Sequence, residues 1–374
     1  MRMMQGTKKT AFILLALSIL LVAAVTPDFR RMHEEEPIRK GPGVTAVKTL
    51  SDYFAKLKGT NGDTPVYVLD SGKPGGTVLV LGGTHPNEPS SFLSALLLIE
   101  NAKPAKGRLI VIPRANNSGF SHTDYTEGAP QQFMLKAASG ERWFRFGSRA
   151  TNPTDQWPDP DIYVHAASGQ KLSGSETRNL NRAYPGRPDG TLTEQVAYGI
   201  VQLIRQEKVT MTIDLHEASP EYPVINAIVA HERAMDFAAE VTIGLQMDGI
   251  KIGLEPSPKT LRGLSHRELG DATDTLAILM ETANPAQGRL RGATNAALVV
   301  SGKDAMYERA AKLNRLFVPY DEKGQPIDLR VARHVTAINE FLNVLSVKNP
   351  AQAVVLNRIP SYGDMVKKGI GSYL

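Results

Sequence analysis

Four five-residue runs, Thr77–Leu81, Arg108–Ile112, Met211–Leu215 and Leu276–Met280, constrain this chain more than any other feature. They are almost wholly apolar, as strands are when both faces of their sheet are covered; a half-exposed strand would alternate. Between them lie segments of helical period. Ser91–Glu100 is apolar almost all round, as a helix packed on a sheet would be. Thr191–Lys208 places Leu192, Val196, Ile200 and Ile204 at spacings of four. Glu232–Met247, Ala305–Leu316 and Val331–Leu345 read as further helices and Val47–Lys58 as a short one, with added strands at Val66–Leu69 and Val224–Val229. Strands alternating with helices predict an α/β fold: a mixed, largely parallel sheet with helices on both faces.

The 374 residues are 42% hydrophobic and 22% charged, enough for a sizeable core. The net charge of +5 carries no nucleic-acid implication, because Arg2, Lys8 and Lys9 supply three of those charges in a leader and the remainder carries +2. Lys8 and Lys9 precede Ala11–Val25, which has one polar member, Ser18. This is the pattern of an export signal, with small residues Val22-Ala23-Ala24 for cleavage, and an uncleaved signal anchor is the alternative. Residues 1–25 thus read as signal peptide or anchor and 26–45 as a charged tether. Residues 46–348 read as one domain and 349–374 as a C-terminal tail. The expected location is periplasmic or extracellular. With no cysteine, disulfides and thiolate zinc sites are excluded, so any metal must use His, Glu or Asp. Within the domain, 114–178 is an insertion rich in Gly, Asn, Pro and Asp; so long an irregular stretch is usually functional. Trp143, Trp157 and Tyr163 fall in it, suited equally to its own small core or to a substrate pocket.

Three of the runs end in a group able to do chemistry. His85 follows Leu81 after the Gly82-Gly83 turn, His216 follows Leu215, and Glu281 follows Met280. Ligand crevices in open α/β sheets lie beyond the carboxyl ends of the strands, so these ends are expected to converge. Glu88 stands three residues after His85 at the mouth of a helix, and positions i and i+3 share one face. His85, Glu88 and His216 make the nitrogen and oxygen set of an open hydrolytic zinc site, with one zinc per chain. Glu281 is the unligated carboxylate beside it, suited to general-base work. His122, His165 and His266 sit in polar stretches that could line such a site, and Ser265-His266-Arg267 occupies a Gly-flanked loop able to cover a cleft.

GGTHPNE at Gly82–Glu88, NLNRAYPG at Asn179–Gly186, DLHE at Asp214–Glu217 and METANP at Met280–Pro285 follow one another in one order. That order resembles the zinc metallocarboxypeptidase superfamily, most closely its succinylglutamate desuccinylase/aspartoacylase branch. The resemblance covers roughly residues 66–285 and implies a zinc carboxypeptidase-like fold. It implies that His85, Glu88 and His216 bind zinc and that Glu281 is the base. Asn181 and Arg182 match the pair that holds a substrate carboxylate, a role suited to a guanidinium fork. An oxyanion-stabilising arginine is also implied, with Arg178, Arg149 and Arg145 as candidates. Pro86 stands where Gly is common, NLNR replaces the more usual DLNR, and the segment after Pro285 looks helical where aspartoacylase-type enzymes carry a β-domain. The expected activity is hydrolysis of an amide next to a carboxylate, on a small acyl-amino-acid or peptide substrate. A carboxypeptidase acting on extracellular or cell-wall peptides is the nearest alternative, and a non-catalytic binding protein on the same fold is the alternative of another class.

Overall fold

The computed structural model describes residues 2–31, 34–123 and 130–374. Two residues of the tether, 32 and 33, and six of the insertion, 124–129, lie outside the described residues. The chain divides into two compact units, Met1–Pro37 and Ile38–Leu374. The first holds a single helix, Arg2–Arg31, in which Thr7–Pro27 is long and apolar enough to cross a membrane.

The second unit is built on an eight-stranded sheet. Across the sheet the strands run Val44–Thr49, Pro65–Asp70, Arg108–Ile112, Thr77–Leu81, Met211–Ala218, Leu276–Ala283, Ala227–Ala230 and Gly253–Pro256. The four apolar runs of the sequence are the four central, mutually parallel strands. Antiparallel pairings join this block to Pro65–Asp70 on one side and to Ala227–Ala230 on the other. The fold is therefore α/β, mixed and largely parallel. Alternation along each strand divides the core in two. Val80, Ile213, Leu215 and Met280 face helices Pro89–Asn101, Met235–Met247 and Ile327–Lys348. Leu79, Leu81, Ile112 and Ala277 face helix Leu192–Gln206, which starts on a capping box between Thr191 and Glu194. Asp214, His216, Leu279 and Glu281 necessarily fall on this second face.

Several expectations are corrected. Val47–Lys58 is not a helix: Val44–Thr49 is a strand paired to Pro65–Asp70, and two single 3₁₀ turns, Leu50–Asp52 and Ala55–Leu57, follow it. The β-branched residues Val44, Thr45, Val47 and Thr49 favour the strand, while the turns still bury Leu50, Tyr53 and Leu57. The insertion is more ordered than its composition predicts. It carries two hairpins, Gln132–Ala137 with Gly140–Arg145 and Ile162–Val164 with Lys171–Ser173. Phe133 and Phe144 stack at 5.7 Å and pack on Phe92 of helix Pro89–Asn101. Trp143 and Trp157 are exposed, whereas Tyr163 is buried with its hydroxyl donating to the Arg182 carbonyl at 3.3 Å. Ser265–Ala272 is a helix rather than a loop. Residues 349–374 pack back on the unit: Val355–Asn357 pairs with Lys103–Lys106, and Met365, Ile370 and Leu374 are buried.

Glu217, on the helix-packed face one residue past His216, is fully buried and takes a 2.7 Å bond from Nη1 of Arg330 on helix Ile327–Lys348. Its second oxygen accepts from the Ser90 amide at 3.1 Å and from Asn284 at 3.2 Å. Removing one partner of such a pair leaves a charge stranded in the interior. Arg330→Met is expected to destabilise the protein by about 3–5 kcal/mol in urea unfolding. A loss below about 1 kcal/mol would show that the pair is not holding the helix to the sheet.

Candidate functional site

The end of strand Thr77–Leu81 leads straight into the site. Gly83 turns the chain with φ +64°, and a Cβ there would lie 2.8 Å from the Phe120 ring. Pro89 then starts the helix at its first position, where a missing N–H costs nothing. Between turn and helix, His85 and Glu88 are held side by side, both almost fully buried. His216 arrives from the parallel strand two positions past the last rung shared with Thr77–Leu81.

His85, Glu88 and His216 come together, with one potential ligand atom from each lying within 4.8 Å of the others. His85 Nδ1 is 2.8 Å from Glu88 Oε1 and 3.1 Å from His216 Nδ1, which is itself 3.0 Å from Glu88 Oε2. The outer nitrogens are committed elsewhere. His216 Nε2 donates to Asp214 Oδ2 at 2.9 Å; Asp214 is fixed in turn by Ser265 Oγ at 2.5 Å and Thr84 Oγ1 at 2.8 Å. His85 Nε2 donates to Asn179 Oδ1 at 2.9 Å, and the Asn179 amide nitrogen donates to Glu176 at 2.7 Å, which fixes the carboxamide's orientation. With both Nε2 atoms donating, both Nδ1 atoms turn inward at a carboxylate and present lone pairs when the rings are neutral. Three acceptors facing one another fit a cation at the centre, and this donor set suits zinc.

The electrostatics agree. Burial pushes His85 down to about 4, with the Arg149 charge adding to the effect. Burial also works against a charged His216, but Asp214 and Glu88 outweigh it and hold that imidazole well above its ordinary value. Glu88 is likewise held well below the usual carboxylate range by the two imidazoles, against the opposing effect of burial. A proton on His216 and a cation at the centre answer the same two carboxylates, so a bound metal would displace that proton.

Glu281 is the register partner of His216 on the next strand, on the same face. Burial pushes its carboxyl up to about 8, with Glu88 adding and His216 opposing. Its Oε2 is sealed from solvent and has no hydrogen-bond partner among the described residues. A carboxyl poised near neutrality beside such a centre is able to accept and return a proton.

A cavity of about 490 Å³ opens over this row. His85, Glu88, Glu281, Arg149, Asn181, Arg182 and His266 line it, and Arg178 and Arg145 do not. Arg178 is forked onto Asp159 at 2.7 and 2.9 Å and donates to the Thr151 carbonyl, which closes the insertion on itself. The Arg145 guanidinium lies over the Phe120 ring at 5.8 Å. Arg149 is half-exposed, with Nη1 3.2 Å from Glu88 Oε1. Arg182 is mostly buried beside Glu176 at 3.6 Å, and burial together with Arg149 lowers its pKa. Asn181 Oδ1 accepts from the Ser265 amide at 2.8 Å. Gly263, at φ +85°, lets that loop pass against the Arg182 carbonyl, where a Cβ would lie 2.2 Å away. His266 is buried with Nδ1 2.8 Å from Ser257 Oγ, and burial pushes it down to about 3. His165 is buried away from the cavity against Ser168 and the Tyr184 carbonyl, and His122 does not line it. The supports Asp214 and Asn179 were not singled out by spacing. Asp214 does carry a signal: two residues before His216 on a strand, it must share that residue's face.

No family model and no curated protein matches the chain. Solved structures to which it is similar include a succinylglutamate desuccinylase/aspartoacylase from Rhodobacter sphaeroides, at 17% identity over 59% of this chain and 51% of that one, with a TM-score of 0.35. A metallo-carboxypeptidase from Burkholderia cenocepacia is 12% identical over 83% of this chain and 67% of that one, at TM-score 0.48. The cell shape determinant protein Csd4 from Helicobacter pylori is 12% identical over 78% of this chain and 54% of that one, at TM-score 0.44. The chain spans about half the length of the first and third of these.

Because the outer partners aim the imidazoles, metal binding by this cluster has a test independent of activity. His216→Ala is expected to lose bound zinc on dialysis. Asp214→Asn is expected to keep a site weakened about 10- to 100-fold in zinc affinity, measured by competition with a chromophoric chelator. Full zinc retention by His216→Ala would remove this residue from the ligand set.

Proposed function

We propose that the protein is a zinc-dependent hydrolase cleaving an amide next to a free carboxylate, in the manner of the N-acyl amino acid deacylases that its motifs resemble. The observation that carries the reading is the inward-facing His85–Glu88–His216 set with Glu281 beside it and two guanidiniums lining the same cavity. His85, Glu88 and His216 would hold the ion, which when bound supplies Lewis acidity and a water acidic enough to ionise near neutral pH. Glu281 takes the proton from the attacking water and passes it to the departing amine. Its Oε2, without a partner among the described residues, is free to take that role. Arg149 reaches the cavity from its half-exposed position beside Glu88 and is the arginine placed to meet the negative charge that develops on the carbonyl oxygen. Asn181 and Arg182 hold the substrate carboxylate and so fix which amide lies over Glu281. His266, neutral and tied to Ser257, shapes the wall.

An acyl group and a peptide differ only in what lies on the other side of the scissile bond, so a carboxypeptidase uses the same groups. The N-terminal apolar helix supports export, with the hydrolase unit outside the cytoplasm or tethered to its membrane. Tyr163 supports the anchor from below through its bond to the Arg182 carbonyl.

Two variants test this reading. Glu281→Gln is expected to keep its zinc and lose activity by orders of magnitude, because an amide does not accept the water's proton. Arg182→Ala is expected to lower kcat/KM by roughly two to three decades on substrates with a free carboxylate, since a desolvated charged contact is worth a few kcal/mol. Amidated substrates are expected to be poor for the wild type and little changed by the substitution. An Arg182→Ala protein that folds normally and keeps the wild-type preference for the free acid would show that the anchor lies elsewhere.

A further inference from the structure

The sheet beneath the cavity carries two rungs that cross the strands in register. One runs His216, Glu281, Ala227, and the adjoining one Asp214, Leu279, Val229, Glu255. Leu279, Val229 and Glu255 all line the cavity, so the second rung is a floor leading away from Glu281 toward the sheet's edge. That floor is apolar, and Leu261, Leu264 and Pro256 continue it upward as walls. It ends on a carboxylate. Glu255 is exposed on the edge strand Gly253–Pro256, and its side chain makes no hydrogen bond or ion pair within the described residues. Neighbouring strands are about 4.8 Å apart and residues rise about 3.3 Å, so Glu255 stands two strands across and two residues back from Glu281, roughly 12 Å away.

Both guanidiniums that line the cavity therefore stand apart from this carboxylate. Arg149 stands beside Glu88 and Arg182 within electrostatic reach of Arg149 and Glu281, and Glu255, unpaired among the described residues, stands at the end of the apolar floor. We propose that this cavity selects amides of a basic amino acid: its carboxylate lies on Arg182, its methylene stem on Leu279 and Val229, and its side-chain cation on Glu255. A long stem that stays on apolar surface while its charged head reaches a half-wet carboxylate is the habit of lysine-type side chains. The two arginines repel such a cation from the other end, which fixes the substrate's direction. An acidic side chain would meet Glu255 head-on, and a short one would leave the floor uncovered.

The proposal rests on the amide-hydrolase reading of the site, and the experiment separates the two. The wild-type holoenzyme is assayed on N-acetyl-L-lysine against N-acetyl-L-norleucine, and on glycyl-lysine against glycyl-norleucine; each pair differs mainly in the terminal ammonium. The expected result is a preference for lysine of about fivefold in kcat/KM, the scale of an exposed ion pair, shrinking as salt rises. In Glu255→Gln that ratio is expected to fall to near one, and in Glu255→Lys to fall below one. Both substitutions are at one exposed edge position, and the readout is a ratio within one protein, so general damage does not move it. A wild type that turns over both members of a pair equally, or a Glu255→Gln protein that keeps the lysine preference, overturns this assignment and leaves the hydrolase reading standing. A wild type that hydrolyses none of the four overturns both.

Discussion

Two imidazole nitrogens 3.1 Å apart, each against an oxygen of one buried carboxylate, are the constraint on which the rest of the site depends. In the neutral rings both nitrogens present lone pairs, because the opposite ring nitrogens donate to Asp214 and Asn179. Left alone, this is an unfavourable cluster of acceptors in a dry interior, and it becomes favourable when a positive charge sits at its centre. The surrounding chain is arranged to keep those lone pairs pointing inward. Thr84 and Ser265 hold Asp214, Glu176 holds Asn179, and the Glu217 amide donates to Glu88 at 2.9 Å.

The parallel sheet makes this arrangement inexpensive in conformational entropy. Each functional side chain leaves a strand end whose position is set by ladder bonds and by two apolar layers, so ordering the site needs few additional degrees of freedom to be frozen. His216 and Glu281 are register partners, and that rung alone brings the imidazole and the carboxyl onto one face. The residue between them and the opposite layer, Glu217, faces the helices and is neutralised there by Arg330. A single strand thus serves the cavity with one set of alternate residues and the helical layer with the other.

The central strands, their order along the chain and the three converging groups were legible because burial on both faces writes strands as unbroken apolar runs. Helix Leu192–Gln206 was legible from one apolar face at helical spacing and a Thr-x-x-Glu cap. Val47–Lys58 misled for a physical reason: Leu50, Tyr53, Phe54 and Leu57 repeat at helical intervals, but two 3₁₀ turns bury them while Val44–Thr49 pairs as a strand. The edge strand Gly253–Pro256 holds both a Gly and a Pro and has only its pairing to Ala227–Ala230 to define it, so local composition hid it. The choice among Arg145, Arg149 and Arg178 was equally out of reach. All three lie in one irregular stretch, and only their tertiary partners, Phe120, Glu88 and Asp159, distinguish them. Asn179 reaches His85 across 94 residues, a contact that no local spacing encodes.

The most direct measurement of the central claim is a zinc titration of metal-stripped protein, with bound metal and amide hydrolysis followed in the same samples. Hydrolysis of an N-acyl amino acid or dipeptide with a free carboxylate is expected to rise linearly with zinc and to saturate at one equivalent per chain. Undiminished hydrolysis by protein shown to be free of metal, or saturation of binding at one equivalent with no hydrolysis of either substrate type, would contradict it.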